Sequence, residues 1–264
     1  MNFQEQKIIT AIRQLLELYE SITMDTIDDG RERVLVNLLA EYYKEWFHRE
    51  WVISAEKPHF TYFRPTFFGF TYNQIPPSIC NFYRGFYCAE VIQPGDSLLD
   101  IGCGDGFLTL RFYGGKCSYI DALDIEPKAI QLALQNNNSP NIHYHLLDAV
   151  AKPFPNDKYD VIVLDGSIGH FSADVTDLLL NKIKNALKPN GIFVGSESLG
   201  REGCDHLQFF YSLNELSALF KPYFVNIQMR STQYDIGGGF IRNEAYWRCS
   251  NDDSRLKSLC WEKF

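Results

Sequence analysis

The sequence predicts an α/β fold in which a mostly parallel sheet of seven strands, one of them antiparallel, follows a helical and aromatic-rich N-terminal cap. Three observations predict it. Short apolar runs alternate with segments of helical spacing from about residue 97 to about 220. The first run, Leu98-Leu99-Asp100-Ile101, leads straight into a glycine-rich turn, Gly102-Cys103-Gly104-Asp105-Gly106. Two further β-rich segments, about 224–234 and 241–249, flank Gly237-Gly238-Gly239 and close the sheet as a hairpin.

Each element has its own signal. Residues 4–21 place Ile8, Ile9, Ile12, Leu15, Leu16 and Tyr19 at helical spacing, and residues 31–48 repeat the pattern from Val34 to Phe47. Asp28-Asp29-Gly30 separates the two helices, which form either a cap or a homodimerisation element. Rings crowd the stretch from Phe60 to Tyr87, where they pack the cap onto the core or line an acceptor pocket. Ser78, after Pro76-Pro77, suits the N-cap of a helix to about 91. Pro94-Gly95-Asp96 turns into the first strand (97–101), and a helix opening at Phe107 stops at Gly114-Gly115. The second strand covers 118–124, and Pro127 suits the first turn of the helix that follows. Strands three and four fall at 142–147 and 160–165, and a helix covers 173–187. Lys188-Pro189-Asn190-Gly191 reads as a turn before the fifth strand, 192–196. Ser212-Leu213-Asn214-Glu215 is a capping box for a helix to Phe220. The expected domains are a cap and lid over 1–90, a core over 91–250 and a tail over 251–264.

Composition narrows the class. The chain has 264 residues, 45% of them hydrophobic, enough to fill a core. A net charge of −8 argues against a nucleic-acid partner, which needs a basic face. Seven cysteines without a C-x-x-C pair indicate neither a disulfide framework nor a zinc site, and they fit a reducing cytoplasm. No run has the length of a membrane span and no leader is evident, so a cytoplasmic protein with no membrane partner is expected.

The glycine-rich turn brings a backbone close to a ligand, because glycine lacks a Cβ and reaches dihedrals closed to other residues. Ligands of open α/β sheets bind beyond the carboxyl ends of the strands. Asp124, Asp148 and Asp165 each stand at such an end, and Asp124 is placed to accept from both hydroxyls of a ribose.

With these residues in view, the segment from about Val91 to Ser250 resembles the class I (Rossmann-like) S-adenosylmethionine-dependent methyltransferases, of the small-molecule type. D-I-G-C-G-D-G is similar to the family's first motif, A-L-D-I-E-P to its ribose-binding segment, L-L-D-A to its adenine-contacting segment, and D-V-I-V-L-D-G to its fourth strand. L-K-P-N-G matches the turn before the fifth. The resemblance implies S-adenosyl-L-methionine as cofactor. Gly102, Cys103 and Gly104 would meet the methionine moiety, and Asp100 would orient its amino group. Asp124 would hold the ribose, Ile125 would pack on adenine, Asp148 would accept from the adenine amine, and Ala149 and Asp165 would complete the site. A nicotinamide cofactor is the rival occupant, disfavoured by G-x-G-x-G in place of G-x-G-x-x-G and by Asp100 just upstream.

Methyl transfer to a hydroxyl or ammonium needs alignment and a group to take the proton. His170 lies where related small-molecule methyltransferases carry a Glu-His pair, but here Gly169 replaces the glutamate. His206, after the fifth strand, is the second candidate, and Glu197 a further polar one. Each histidine could equally be a surface or capping residue. His143 and His145 share a strand face and are expected to pack there, and no metal site is expected. The expected acceptor is a small molecule methylated on oxygen or nitrogen. A glycan or protein acceptor, or a non-catalytic cofactor-binding protein, are the alternatives.

Overall fold

The computed structural model describes residues 79–201, 206–235, 241–256 and 261–264. Two compact units divide the chain, one of Cys80–Tyr234 with Phe240–Phe264, the other of Met1–Ile79 with Asp235–Gly239. The second unit holds the expected N-terminal helices and the rings from Phe60 to Tyr72, which lie outside the described residues, as do 202–205 and the three hairpin glycines.

The strands of the first unit are β1 (Ser97–Ile101), β2 (Tyr119–Asp124), β3 (Ile142–Leu146), β4 (Tyr159–Asp165), β5 (Leu187–Leu199), β6 (Asn226–Asp235), β7 (Ile241–Ser250) and β8 (Glu262–Lys263). Its helices are α1 (Ile79–Ala89), α2 (Pro127–Asn136), α3 (Ala173–Ala186) and α4 (Leu213–Phe220), with a π-helix over Thr109–Gly114 and a 3-10 turn over Ile168–His170. The sheet order is β3-β2-β1-β4-β5-β7-β6-β8. Strands β1 to β5 pair in parallel and β7 runs antiparallel to β5. The expected mostly parallel sheet with an antiparallel part is thus present.

Parallel strands covered on both faces read as unbroken apolar runs, and parity sorts these runs between two cores. Leu99, Ile101, Ile162, Leu164 and Phe193 pack with Leu179, Leu180 and Ile183 of α3 and Leu216 and Phe220 of α4. Leu98, Ile120, Val161, Val163 and Ile192 pack on the other face with Cys88 of α1 and Tyr113 of the π-helix.

Three elements differ from expectation. The Lys188-Pro189-Asn190-Gly191 turn is a bulge inside β5: Tyr159 pairs with Leu187 and Val161 with Ile192, so five residues of β5 span two of β4. Pro189 has no N–H to give a ladder, and the strand bulges around it. The stretch expected as a tail adds an eighth strand: β8 pairs antiparallel with β6, anchored by Trp261, which is buried beside Tyr87. The helix expected to close the cap, α1, belongs to the sheet-bearing unit, because Tyr87 and Cys88 are buried on the sheet. Two caps match expectation. Pro127 opens α2, and Ser212 Oγ accepts from the Glu215 N–H at 3.2 Å. Among the described residues Cys88, Cys103, Cys117 and Cys249 are free thiols, and no helix is long and apolar enough to cross a membrane.

Candidate cofactor and acceptor site

The carboxyl ends of β1, β2 and β3 frame one arc of loops. Gly102, Gly104 and Gly106 all take positive φ, at 74°, 58° and 76°. The turn is clipped to its neighbour: the N–H groups of Gly102 and Cys103 both donate to Leu123 O, at 2.8 and 2.9 Å, and Gly104 N–H donates to Asp124 Oδ2 at 2.9 Å. These amides are therefore spent within the protein, and a ligand meets the turn through its open face rather than through free N–H donors. That face is at Gly104, where an added Cβ would meet nothing within 4 Å. At Gly102 it would lie 2.8 Å from Ser167 Oγ, and at Gly106 only 2.3 Å from the Tyr144 hydroxyl. The first and third glycines admit protein side chains, and the middle one leaves room.

The other expected residues lie on β1 and on the loops after β2 and β3. Asp124 Oδ1 accepts from Glu126 N–H at 2.8 Å, so both its oxygens are oriented by loop amides. Ile125 beside it is 68% exposed, an apolar side chain held in the open at the sheet edge. Asp148 Oδ1 accepts from the N–H groups of Val150 and Ala151, and the Ala149 carbonyl accepts from Lys182 Nζ at 2.6 Å. Asp100 lies deeper and accepts from Thr109 Oγ1 at 2.6 Å. Burial pushes its carboxyl up to about 7 against the pull of that hydrogen bond, with Asp165 and Asp124 adding repulsion. An arc with an open glycine, a tethered acid, an exposed apolar side chain and a second acid fits an adenosine with an attached amino acid.

Asp165, expected to complete the cofactor site, sits in a buried polar cluster. Ser196 Oγ donates to its Oδ1 at 2.5 Å, and Arg84 Nε of α1 stands 3.9 Å away. Arg84 Nε also donates to Glu244 Oε1 of β7 at 2.7 Å, and Arg242 Nε donates to Glu244 Oε2 at 2.8 Å. Burial raises Asp165 to about 6 although Arg84 opposes it. The two arginines outweigh burial at Glu244 and hold it below the usual carboxylate range.

The loops after β4 and β5 bring the two candidate histidines together. The His170 and His206 rings meet edge to face with centroids 4.5 Å apart. The glycine in place of glutamate has a geometric meaning: a Cβ on Gly169 would lie 2.9 Å from His206 Nδ1, so His206 occupies the space that a side chain at 169 would claim. The N–H groups of Leu207 and Gln208 donate to Gly169 O at 2.8 and 3.0 Å, which fastens the second loop to the first. Beneath them Glu197 is buried, and its Oε2 accepts from Gly169 N–H at 2.8 Å. Glu197 thus braces the His170 turn from inside β5.

Sequence reasoning missed Arg84, Tyr144 and Ser167, whose contacts are made across the fold. Tyr144 had a signal, because it stands on β3 between His143 and His145 and so points to the opposite face. The two histidines share their face with β2: His143 stacks on Tyr119 with centroids 4.6 Å apart, and His145 Nε2 lies 2.7 Å from Asp121 Oδ1. Asp121 is fully buried and also accepts from Tyr159, Asn156 and Tyr119. Among the described residues no cluster of three metal-ligating side chains gathers.

Comparison with known proteins agrees with this geometry. A family model described as a methyltransferase domain matches residues 98–191. The ribosomal protein L11 methyltransferase of Campylobacter concisus (strain 13826) is 30% identical over 118 residues, 43% of this chain and 40% of that protein. The chain therefore matches well under two thirds of the length of such curated relatives. Among solved structures, the N-methyltransferase NodS from Bradyrhizobium japonicum WM9 has a TM-score of 0.52 at 16% identity, covering 66% of this chain and 98% of NodS. Phosphoethanolamine N-methyltransferase 2 of Haemonchus contortus, solved with phosphomonomethylethanolamine and S-adenosylhomocysteine, has a TM-score of 0.51 at 15% identity, covering 60% of this chain and 49% of that one. At such identities the likeness is one of fold, and it is the same fold in both. Residues 98–191 thus match a methyltransferase domain, set in a sheet whose fold is that of these two methyltransferases.

Proposed function

We propose that the chain transfers a methyl group from S-adenosylmethionine to an oxygen or nitrogen of a small-molecule acceptor, and that a histidine of the 170/206 pair takes the acceptor's proton. The observation that carries this is the meeting of the two imidazoles at 4.5 Å, at the carboxyl end of the sheet that also holds Gly104, Asp124 and Asp148. Asp124 holds the ribose hydroxyls, Ile125 covers one adenine face, and Asp148 with Ala149 borders the adenine amine. Asp100 orients the amino group beside Gly102 and Cys103, and Asp165, bonded to Ser196 and near Arg84, completes the site. The bound cofactor supplies a methyl group on a sulfonium, an electrophile that needs an aligned nucleophile more than activation. His206 Nδ1 faces Gly169, which leaves Nε2 to receive a proton.

A protein acceptor is the second reading, favoured by the 30% identity to a ribosomal protein L11 methyltransferase. Incubation of the purified chain with methyl-labelled cofactor and a cell extract split into metabolite and protein fractions separates the two. Label in the metabolite fraction is expected. Label confined to protein would replace the acceptor class, and label in neither would support a non-catalytic cofactor-binding protein.

A further inference from the structure

On the α1 face of β6 and β7, two arginines share one tryptophan. The Arg248 guanidinium carbon lies 3.9 Å from the Trp261 ring centroid, and that of Arg230 lies 5.8 Å from the same ring and 4.4 Å from the Tyr87 ring. This cluster is remote from the strand ends described above. Arg248 pairs with Val194, five residues before the end of β5, which is roughly 16 Å along the strand.

Among the described residues one carboxylate serves the two cations, and only at Arg248: its Nη2 donates to Glu90 Oε2, and Glu90 is itself exposed. Among the described residues Arg230 is held by the two rings alone. Three N–H groups here are buried without an acceptor, namely Nε of Arg230, Nε of Arg248 and Nε1 of Trp261. Arg248 and Trp261 are more than nine-tenths buried, so water does not readily complete them. Buried donors are almost always paired, and a local group of three that is not marks an absent partner. The cluster is short of acceptor oxygens and of negative charge together.

We propose that the Arg230–Arg248–Trp261 cluster is an anion site that takes a phosphate group, either as the free ion or as a phosphate monoester. A guanidinium fork matches phosphate oxygens in two parallel hydrogen bonds. A phosphate presents at least three acceptor oxygens, one more than a carboxylate, to the Arg230 fork and the stranded N–H groups. Glu90 then shares Arg248 with the anion or swings into solvent. The Tyr87 and Trp261 rings fix the guanidinium planes in advance, which lowers the ordering cost of binding.

The test is thermal unfolding and calorimetry of the full chain with inorganic phosphate, at ionic strength matched with sodium chloride so that general screening cancels. A saturable rise in the unfolding midpoint is expected. Arg230→Gln, which breaks no side-chain hydrogen bond among the described residues, should unfold near the wild-type midpoint in chloride and bind phosphate at least about tenfold more weakly. Glu90→Gln, which removes the competing charge, should bind several-fold more tightly. Glycerol 3-phosphate tells the two sources apart: tighter binding than inorganic phosphate assigns the site to a monoester, and equal or weaker binding assigns it to the free ion. No saturable response in the wild type, or an Arg230→Gln variant with wild-type affinity, would overturn the proposal.

Discussion

Gly102, Gly104 and Gly106 share positive φ, yet a methyl group added to each meets different surroundings, and the difference can be measured. Gly104→Ala carries the left-handed strain of about 1–2 kcal/mol and places its methyl in open space. It should lower stability modestly and weaken S-adenosylhomocysteine binding more than tenfold. Gly106→Ala adds overpacking against Tyr144, about 1–3 kcal/mol more, and should show its larger effect in urea unfolding. Equal stability losses in the two variants would contradict the assignment. Asp100 gives a pH test. Its carboxyl titrates at about 7 in the fold and near 3.9 in an unfolded chain. Between those values the native state keeps a proton that the unfolded state has released, so this group lowers stability as pH rises from about 4 to about 7 and adds no slope beyond. Asp100→Asn keeps an acceptor for Thr109 and should flatten that decline, while Asp105, also near 7, and Asp165, near 6, maintain part of it. Identical slopes for variant and wild type in thermal midpoints from pH 5 to 8 would contradict the assignment. Asp124 and Asp148 were legible because strand ends are legible from the apolar runs before them. The use of Gly106 by Tyr144 and of Gly169 by His206 was not, because each partner lies more than thirty residues away and only the folded sheet brings it near.

At the scale of elements, the parallel strands announced themselves as unbroken apolar runs, and the caps of α2 and α4 by Pro127 and Ser212. The β5 bulge was hidden because Pro189 and Gly191 signal a turn equally well inside a strand as before one. β8 was hidden because two residues carry no period, and its anchor is the single ring of Trp261. The bond between α1 and β7 could not be read either, since it rests on a buried ion pair 160 residues apart, Arg84 with Glu244. Glu244 is fully buried between Arg84 and Arg242, so its removal strands charge in the interior. Glu244→Ala should cost about 3–5 kcal/mol in urea unfolding. A loss below about 1 kcal/mol would mean that α1 is held by its apolar contacts alone.

For the whole molecule, the fold collects the ends of five parallel strands on one edge, where the loops carry the glycine-rich turn and the histidine pair. A positioned base contributes about 100-fold to 10,000-fold, so His170→Ala or His206→Ala should lower kcat by that order with little change in cofactor affinity. The loss should shrink for an acceptor that is already ionised. If neither variant loses activity, alignment alone carries the reaction. The most direct measurement is calorimetric titration of S-adenosylhomocysteine into the wild type and into Asp124→Ala, because the whole account rests on a cofactor in the arc between Gly104 and Asp148. Wild-type binding with one site per chain, weakened by about 1–3 kcal/mol in the variant, is the expected result. No binding to the folded wild type, or equal affinity in the two proteins, would contradict it.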